Sequence, residues 1–315
     1  MIPKSEIDNL IDLALKSIET VDVLARNPSA PLLHFTDADG LIGIVRTKQL
    51  WANRATCMND ASELAYGKNL GKSIVEAHVR DERNSGAAAI WSVAHATFAD
   101  VPEPKDLAPL YFDAFVASFC AHADKSVHWL HYGRSGHGYA VAIDFGALDY
   151  TGWSLVPVVY EIADQQRILE SLYGGIQHNA ATLMHANGGT WDEKDLALLV
   201  YVAGHLIFDV TRAIAPCFKD PCFSAEEEWR LFRTWVEGRV AEEGKFPLKF
   251  RAKQGRIVPY TEFALAPQAL KKVVTGYQVP DHPAHQSIRF LLQENGIDPA
   301  CCAIEHSRVP VQGAA

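Results

Sequence analysis

The chain has 315 residues, 48% of them apolar and 21% charged, a balance that supports a packed core and excludes the disordered regime. Lys and Arg number 29 against 38 Asp and Glu, and the net charge of -9 argues against general nucleic-acid affinity while leaving room for a local basic groove. No apolar run approaches the roughly 20 residues that span a bilayer, and Met1 to Glu6 leads into an amphipathic pattern instead of a signal sequence, so no membrane partner and a cytoplasmic location are expected.

Residues 4 to 26 repeat apolar positions at helical spacing, and Asn27-Pro28 breaks the pattern. Leu32 to Phe35 reads as a strand, and Thr36 with Asp39 three residues on has the capping-box spacing that starts a helix at about Asp37. Gln49 to Asn53 is extended, and 59 to 99 is helical with a break near Asn84-Ser85-Gly86. Phe112 to Cys120 is a strand, Asp124 to Tyr132 a short helix, 133 to 138 a glycine-rich turn, and 139 to 145 and 155 to 160 further strands. Helices over 162–186 and 192–214 look like an insertion between core strands. Strands return at 228–236, 247–251 and 257–264, and the C-terminus alternates a short helix, a strand at 272–277, a helix at 284–295 and a strand at 301–306. The expected division is an N-terminal helix over 1–30 and one domain over 31–310.

Two phosphate-binding lookalikes fail on spacing. Tyr66 to Ser73 has three residues, not four, before its Gly-Lys-Ser and lies inside a helical stretch, so its amides are consumed by the helix ladder. Gly133 to Gly138 precedes a strand where a dinucleotide turn precedes a helix. The six cysteines lack CxxC spacing and read as reduced thiols. His122, His128, His131 and His137 with Asp124 and Cys120 make a metal site conceivable, and Cys120 with His128 or His131 and Asp144 a thiol triad; both give a metal- or Cys/His-dependent hydrolase as a lesser alternative. Glu226 and Glu227 read as a solvated acidic turn. Asn59, Asp60 and Glu63 cap a helix or line a cleft.

His34 and Glu228 make a stronger pair. A strand-borne histidine hydrogen-bonds a ribose hydroxyl, Thr36 and the following helix N-terminus offer a hydroxyl and amides, and a glutamate heading a second strand supplies a fixed negative charge. Cleaving a glycosidic bond to a cationic nicotinamide builds positive charge on the ribose, which such a carboxylate stabilises selectively. The plain alternative for His34 is a satisfied core histidine.

The strand His34-Phe35-Thr36 with its helix resembles the first motif of the H-Y-E class of ADP-ribosyltransferases, the diphtheria-toxin and poly(ADP-ribose) polymerase type. Ala117 to Ser126 is similar to the second motif of that class, and Glu228-Trp229-Arg230-Leu231-Phe232 to the third. Across 31 to 310 the chain also resembles a bacterial family known as domain of unknown function twenty-nine seventy-one, through Met58-Asn59-Asp60 with Glu63, Phe119 through Trp129 and Tyr132, the Gly138 strand, Glu226 to Arg230, and Val273 to Tyr277. The transferase resemblance implies an α+β fold with a split, mainly antiparallel β core and helical insertions, with NAD as substrate and ADP-ribose transferred to an acceptor, protein, nucleic acid or small molecule. It implies that His34 positions a ribose, Glu228 stabilises the oxocarbenium-like state, Arg230 meets a phosphate, and Phe35, Thr36 and Ser118 line the NAD site. Ser118 stands where the class carries a stacking tyrosine, and Tyr132 is the preferred substitute, since strand alternation sends Phe119 to the other face. Arg46, Arg54 or Arg134 remain candidates for the diphosphate. From a different class, a non-catalytic sensor would use the same cleft for a nucleotide or peptide, with the 162–214 helices as partner surface.

Overall fold

The computed structural model describes residues 2–19, 27–57, 61–81, 87–100, 112–122, 124–149, 151–186, 190–236, 247–253 and 255–310. The fold is mixed α and β around a mostly antiparallel open sheet. Helix α1 (Lys4–Glu19) precedes β1 (Leu32–Thr36), α2 (Ala38–Thr47), β2 (Gln49–Arg54), α3 (Ala61–Asp81), α4 (Ala88–Asp100), β3 (Phe112–Cys120), α5 (Ser126–His131), β4 (Tyr139–Ile143) and β5 (Ser154–Pro157). The long pair α6 (Ile162–Ala186) and α7 (Glu193–Ile214) then leads to β6 (Glu228–Val236), β7 (Lys249–Lys253), β8 (Arg256–Ala264), β9 (Leu270–Thr275), α8 (Asp281–Glu294) and β10 (Ala303–His306). The expected breaks at 84–86 and 187–189, and Asn59 and Asp60, lie outside the described residues.

One path through the sheet runs β10-β9-β4-β1-β3-β2-β8-β7, and β5 and β6 branch from it at β3. Strand β6 lies along the full length of one edge of β3, from Phe112 opposite Val236 to Cys120 opposite Glu228. Two strands share the other edge. Leu33 of β1 pairs with Cys120, whereas Asn53 and Arg54 of β2 pair with Val116 and Phe115. The sheet is therefore split at β3, and the backbone of Ser118, between the two pairings, faces the gap.

Strand periodicity sends alternate residues of this sheet into two cores. On one face Leu32, Phe115, Phe119, Ile143, Leu231, Phe263 and Val273 pack with Leu41, Ile44 and Val45 of α2 and Ile288 and Leu292 of α8. On the other, Ala114, Val116, Val156 and Phe232 meet a layer of α1, α3, α4, α6 and α7 that contains Trp91, Tyr173 and Phe208. Near β1 and α5 a smaller cluster joins Leu33, Trp129, Ala140, Ala142 and Val274. Among the described helices α7 is long and apolar enough to cross a membrane, an exception to the expectation from composition. Its Leu199, Ala203, Ile207, Val210 and Ile214 are instead buried in the helical layer.

The capping-box expectation needs one correction. Asp37, not Thr36, caps α2, and its side chain accepts from the amide of Gly40 at 2.9 Å. Thr36 is the last strand residue, with its hydroxyl against Gly40, where an added Cβ would fall 1.9 Å from Oγ1.

Candidate functional site

The split in the sheet opens a small cavity of about 80 Å³, lined by Leu33, His34, Phe35, Ser118, Cys120, Tyr132 and Glu228. At roughly 10–15 Å³ for each water-sized position, it has room for several waters or one small ring. His34 near the front of the chain and Glu228 almost two hundred residues later thus both line one cavity.

Three elements place these groups. The His34 ring turns from β1 into the gap, where Nδ1 lies 2.9 Å from the Ser118 carbonyl oxygen and the ring sits 5.6 Å from Phe119. A carbonyl only accepts, so Nδ1 carries the proton and donates, which leaves Nε2 as an acceptor in the neutral ring. Burial lowers the His34 pKa, opposed by the bond to Ser118, so the neutral form dominates at pH 7. The Ser118 hydroxyl is buried without a hydrogen-bond partner, an open polar group on the cavity wall. Phe35 stands edge-on to Trp129 at 5.0 Å, and Trp129 is held by a 3.1 Å bond from Nε1 to Asp124.

Glu228 enters from β6 and is 4% exposed. The Arg230 guanidinium grips it with two bonds, Nε to Oε1 at 2.7 Å and a terminal nitrogen to Oε2 at 2.9 Å. Lys219 donates to Glu228 at 2.9 Å, to Glu226, and to the Tyr132 hydroxyl at 3.4 Å. The Tyr160 hydroxyl accepts from the Glu228 amide at 3.0 Å, and Arg230 also donates to the Pro216 carbonyl. Burial works to raise the Glu228 pKa, but Arg230 and Lys219 outweigh it and hold the carboxyl down at about 2. The group is a permanent anion at pH 7 and no general acid. Two cations and two carboxylates alternate in this buried cluster, which sums to zero charge.

Of the expected site residues, His34, Phe35, Ser118, Tyr132 and Glu228 meet at the cavity; Thr36 and Arg230 do not line it. Arg230 is 1% exposed and its guanidinium is committed to Glu228 and Pro216, which contradicts a phosphate role. The acidic turn is corrected in half: Glu226 is buried on Lys219, whereas Glu227, with φ of 45°, faces outward to Lys125 at 2.9 Å and His122 at 3.1 Å. Sequence reasoning missed Lys219 and Tyr160. Glu228 and Arg230 share a face of β6, and Glu226 ends the turn just before it; two carboxylates and one cation so close in sequence already called for a further positive charge.

The thiol triad does not assemble. His128 bonds the Glu226 carbonyl at 2.8 Å, Asp144 accepts from Gly146 at 3.0 Å, and burial followed by the charges of Glu228 and Glu226 drives the Cys120 pKa far up, leaving no thiolate. Among the described residues no group of three or more His, Cys, Asp or Glu side chains is arranged to hold a metal ion. All six cysteines are free. Comparisons with protein-family models, curated proteins and solved structures find no match to this chain.

Proposed function

We propose that the cavity is the reactive end of an NAD site on a fold of ADP-ribosyltransferase type, and that the chain transfers ADP-ribose to a protein, nucleic-acid or small-molecule acceptor. One observation carries this reading: His34 and Glu228, from strands distant in sequence, line one cavity that also holds the unpartnered Ser118 hydroxyl. The resemblance of the three strand motifs adds to it.

The residues present fit the group in the following way. His34 Nε2 accepts from a ribose hydroxyl, Ser118 Oγ donates to the ligand, and the Tyr132 and Phe35 rings flank it. Glu228 stays ionised and is fixed in orientation by Arg230, so its negative charge needs no reorganisation when the C1′–N bond breaks and positive charge spreads over the ribose. Nicotinamide leaves as the neutral base, and the acceptor attacks C1′ and releases a proton.

A second reading is favoured by one feature. Arg230 and Lys219 compensate the Glu228 charge, which reduces the field that the carboxylate projects into the cavity. A site of this kind recognises a nucleotide without cleaving it, as a sensor module does.

Incubating the protein with labelled NAD and a cell lysate, while measuring NAD binding separately, distinguishes the two. The transferase reading expects nicotinamide release and label transfer that fall at least 100-fold in both Glu228→Gln and His34→Ala. Ser118→Leu, which fills the cavity and leaves the ion cluster intact, should abolish binding. Binding without cleavage moves the conclusion to the sensor, and a parent that neither binds nor cleaves NAD sinks both.

A further inference from the structure

Two of the groups that brace Glu228, Tyr160 and Lys219, lie on irregular segments that run side by side at the start of β6. The Val158 amide donates to the Glu228 carbonyl at 2.9 Å, the Val159 amide to the Cys217 carbonyl at 2.9 Å, and the Lys219 amide back to the Val159 carbonyl at 3.2 Å. From this short ladder the Tyr160 hydroxyl accepts from the Glu228 amide, and the Lys219 ammonium donates to the Glu228 carboxylate and to the Tyr132 hydroxyl on the cavity wall. The ladder falls short of a strand pair. β5 ends at Pro157, and the parallel bridge from Val159 to Phe218 is isolated, so the two segments need support from outside.

Gln165 supplies that support. It lies in the first turn of α6 with no exposed surface, and its Nε2 donates to the Val159 carbonyl at 2.7 Å and to the Lys219 carbonyl at 2.8 Å. Carbonyls only accept, so both amide hydrogens are spent and the amide can lie only one way round. Its oxygen accepts from the Tyr66 hydroxyl of α3 at 2.8 Å. One buried side chain thus joins α3 and α6 to the two segments that carry the Glu228 braces. Burying an amide is costly unless its bonds are made, and a fully bonded amide in a dry interior fixes what it touches. The same helix carries a second buried polar contact, Tyr173 to Thr211 at 2.5 Å, which ties α6 to α7 within the helical layer.

We propose that Gln165, oriented by Tyr66, is a positioning residue for Glu228, and that through it the helical layer sets the geometry of the cavity. Gln165 does not line the cavity and acts through the backbone of Val159 and Lys219. A carboxylate stabilises developing charge only from a fixed position, and a displacement on the order of 1 Å costs a rate about 100-fold. The effect on turnover rests on the transferase reading; the hold on Glu228 does not.

The test compares Gln165→Met, which keeps the bulk and removes the amide, with the milder Tyr66→Phe, which frees only the amide oxygen, and with Tyr173→Phe as the control on the same helix. Nicotinamide release from NAD by the full chain should show kcat about tenfold lower in Gln165→Met with KM within about twofold, since the cavity wall is untouched. Tyr66→Phe should show a weaker form of the same split, and Tyr173→Phe should leave kcat unchanged. Urea unfolding of each variant alone and combined with Glu228→Gln gives a second readout that needs no activity. If Gln165 only fills space, the changes in the unfolding constant multiply; if it acts through the Glu228 braces, the double variant falls short of that product by about fivefold or more. Multiplicative losses in both the Gln165 and the Tyr66 combinations overturn the proposal, as does a kcat that is equal in parent and Gln165→Met or that falls as far in Tyr173→Phe. A parent that leaves NAD uncleaved sinks the transferase reading alone, and the unfolding cycles then decide. Should Gln165→Met fail to fold, Tyr66→Phe decides both readouts.

Discussion

Replacing Glu228 by Gln keeps the shape of the side chain and removes one charge from a buried cluster of four. The carboxyl is held near 2 in the folded chain and titrates near 4.5 unfolded. That gap of about 2.5 units, at 1.36 kcal/mol each, corresponds to roughly 3 kcal/mol of stability at pH 7. Leaving Arg230 and Lys219 with one carboxylate fewer in a dry environment points the same way, since breaking a buried pair costs about 3–5 kcal/mol. The pH dependence follows from the sign of the shift. A depressed carboxyl pKa stabilises the fold above about 4.5, and that contribution is lost as the pH falls towards 2. Urea unfolding followed by tryptophan fluorescence should therefore show the variant about 3 kcal/mol less stable at pH 7, with the difference shrinking steadily below pH 4.5. A loss under about 1 kcal/mol at pH 7, or the same loss at pH 7 and pH 2.5, refutes the ion-cluster account. The measurement also separates a stability defect from any loss of activity in this variant.

Other consequences are accessible to simple assays. Gly276→Ala places a Cβ 2.2 Å from the Gly136 carbonyl oxygen and 3.0 Å from that of Gly138, both backbone atoms, so thermal unfolding should reveal a loss of roughly 2–3 kcal/mol. Burial raises the Asp209 pKa to about 7 against a partial offset from Arg212; its cost to the fold appears as the pH rises from 3.8 to 7, so Asp209→Asn should stabilise by up to about 4 kcal/mol at pH 8 and by well under about 1 kcal/mol at pH 4. Equal effects at both values would remove burial as the cause. Tyr160→Phe strips the Glu228 amide of its acceptor and should cost about 1–2 kcal/mol in urea unfolding. A thiol reagent at pH 8 should modify exposed Cys222 and Cys301 rapidly and leave Cys120, Cys217 and Cys302 until the chain unfolds, burial having pushed Cys217 up to about 12 and Cys302 to about 11. Rapid labelling of Cys120 would restore the thiol as a candidate nucleophile.

Much of the site was legible because it sits on regular elements. Strands β3 and β6 fall where their apolar patterns place them, and alternation along β3 correctly separates Ser118 and Cys120 from Phe119, whose ring is in the core against Phe145 at 5.1 Å. The α6 and α7 boundaries follow just as directly from helical periodicity. Errors collect where a polar side chain has a choice of partner. Arg230 is an open phosphate ligand by strand face alone, yet Glu228 two residues earlier on the same face takes one edge of its guanidinium and the Pro216 carbonyl takes the other terminal nitrogen. Glu226 reads as surface because it belongs to an acidic run, and only Lys219 brings it inside.

Local pattern, then, is enough to say that this chain builds a mixed α and β domain and which strands carry His34, Ser118 and Glu228, because periodicity of 2 or 3.6 and turn chemistry act over a few residues. Tertiary structure alone decides that β1 and β2 part along one edge of β3, that a cavity opens there, and that Lys219 reaches both Glu226 and Glu228. Those outcomes depend on pairings between residues up to about two hundred positions apart, settled by backbone hydrogen bonds and the apolar surface buried on both faces of the sheet, and no local window of sequence contains both partners.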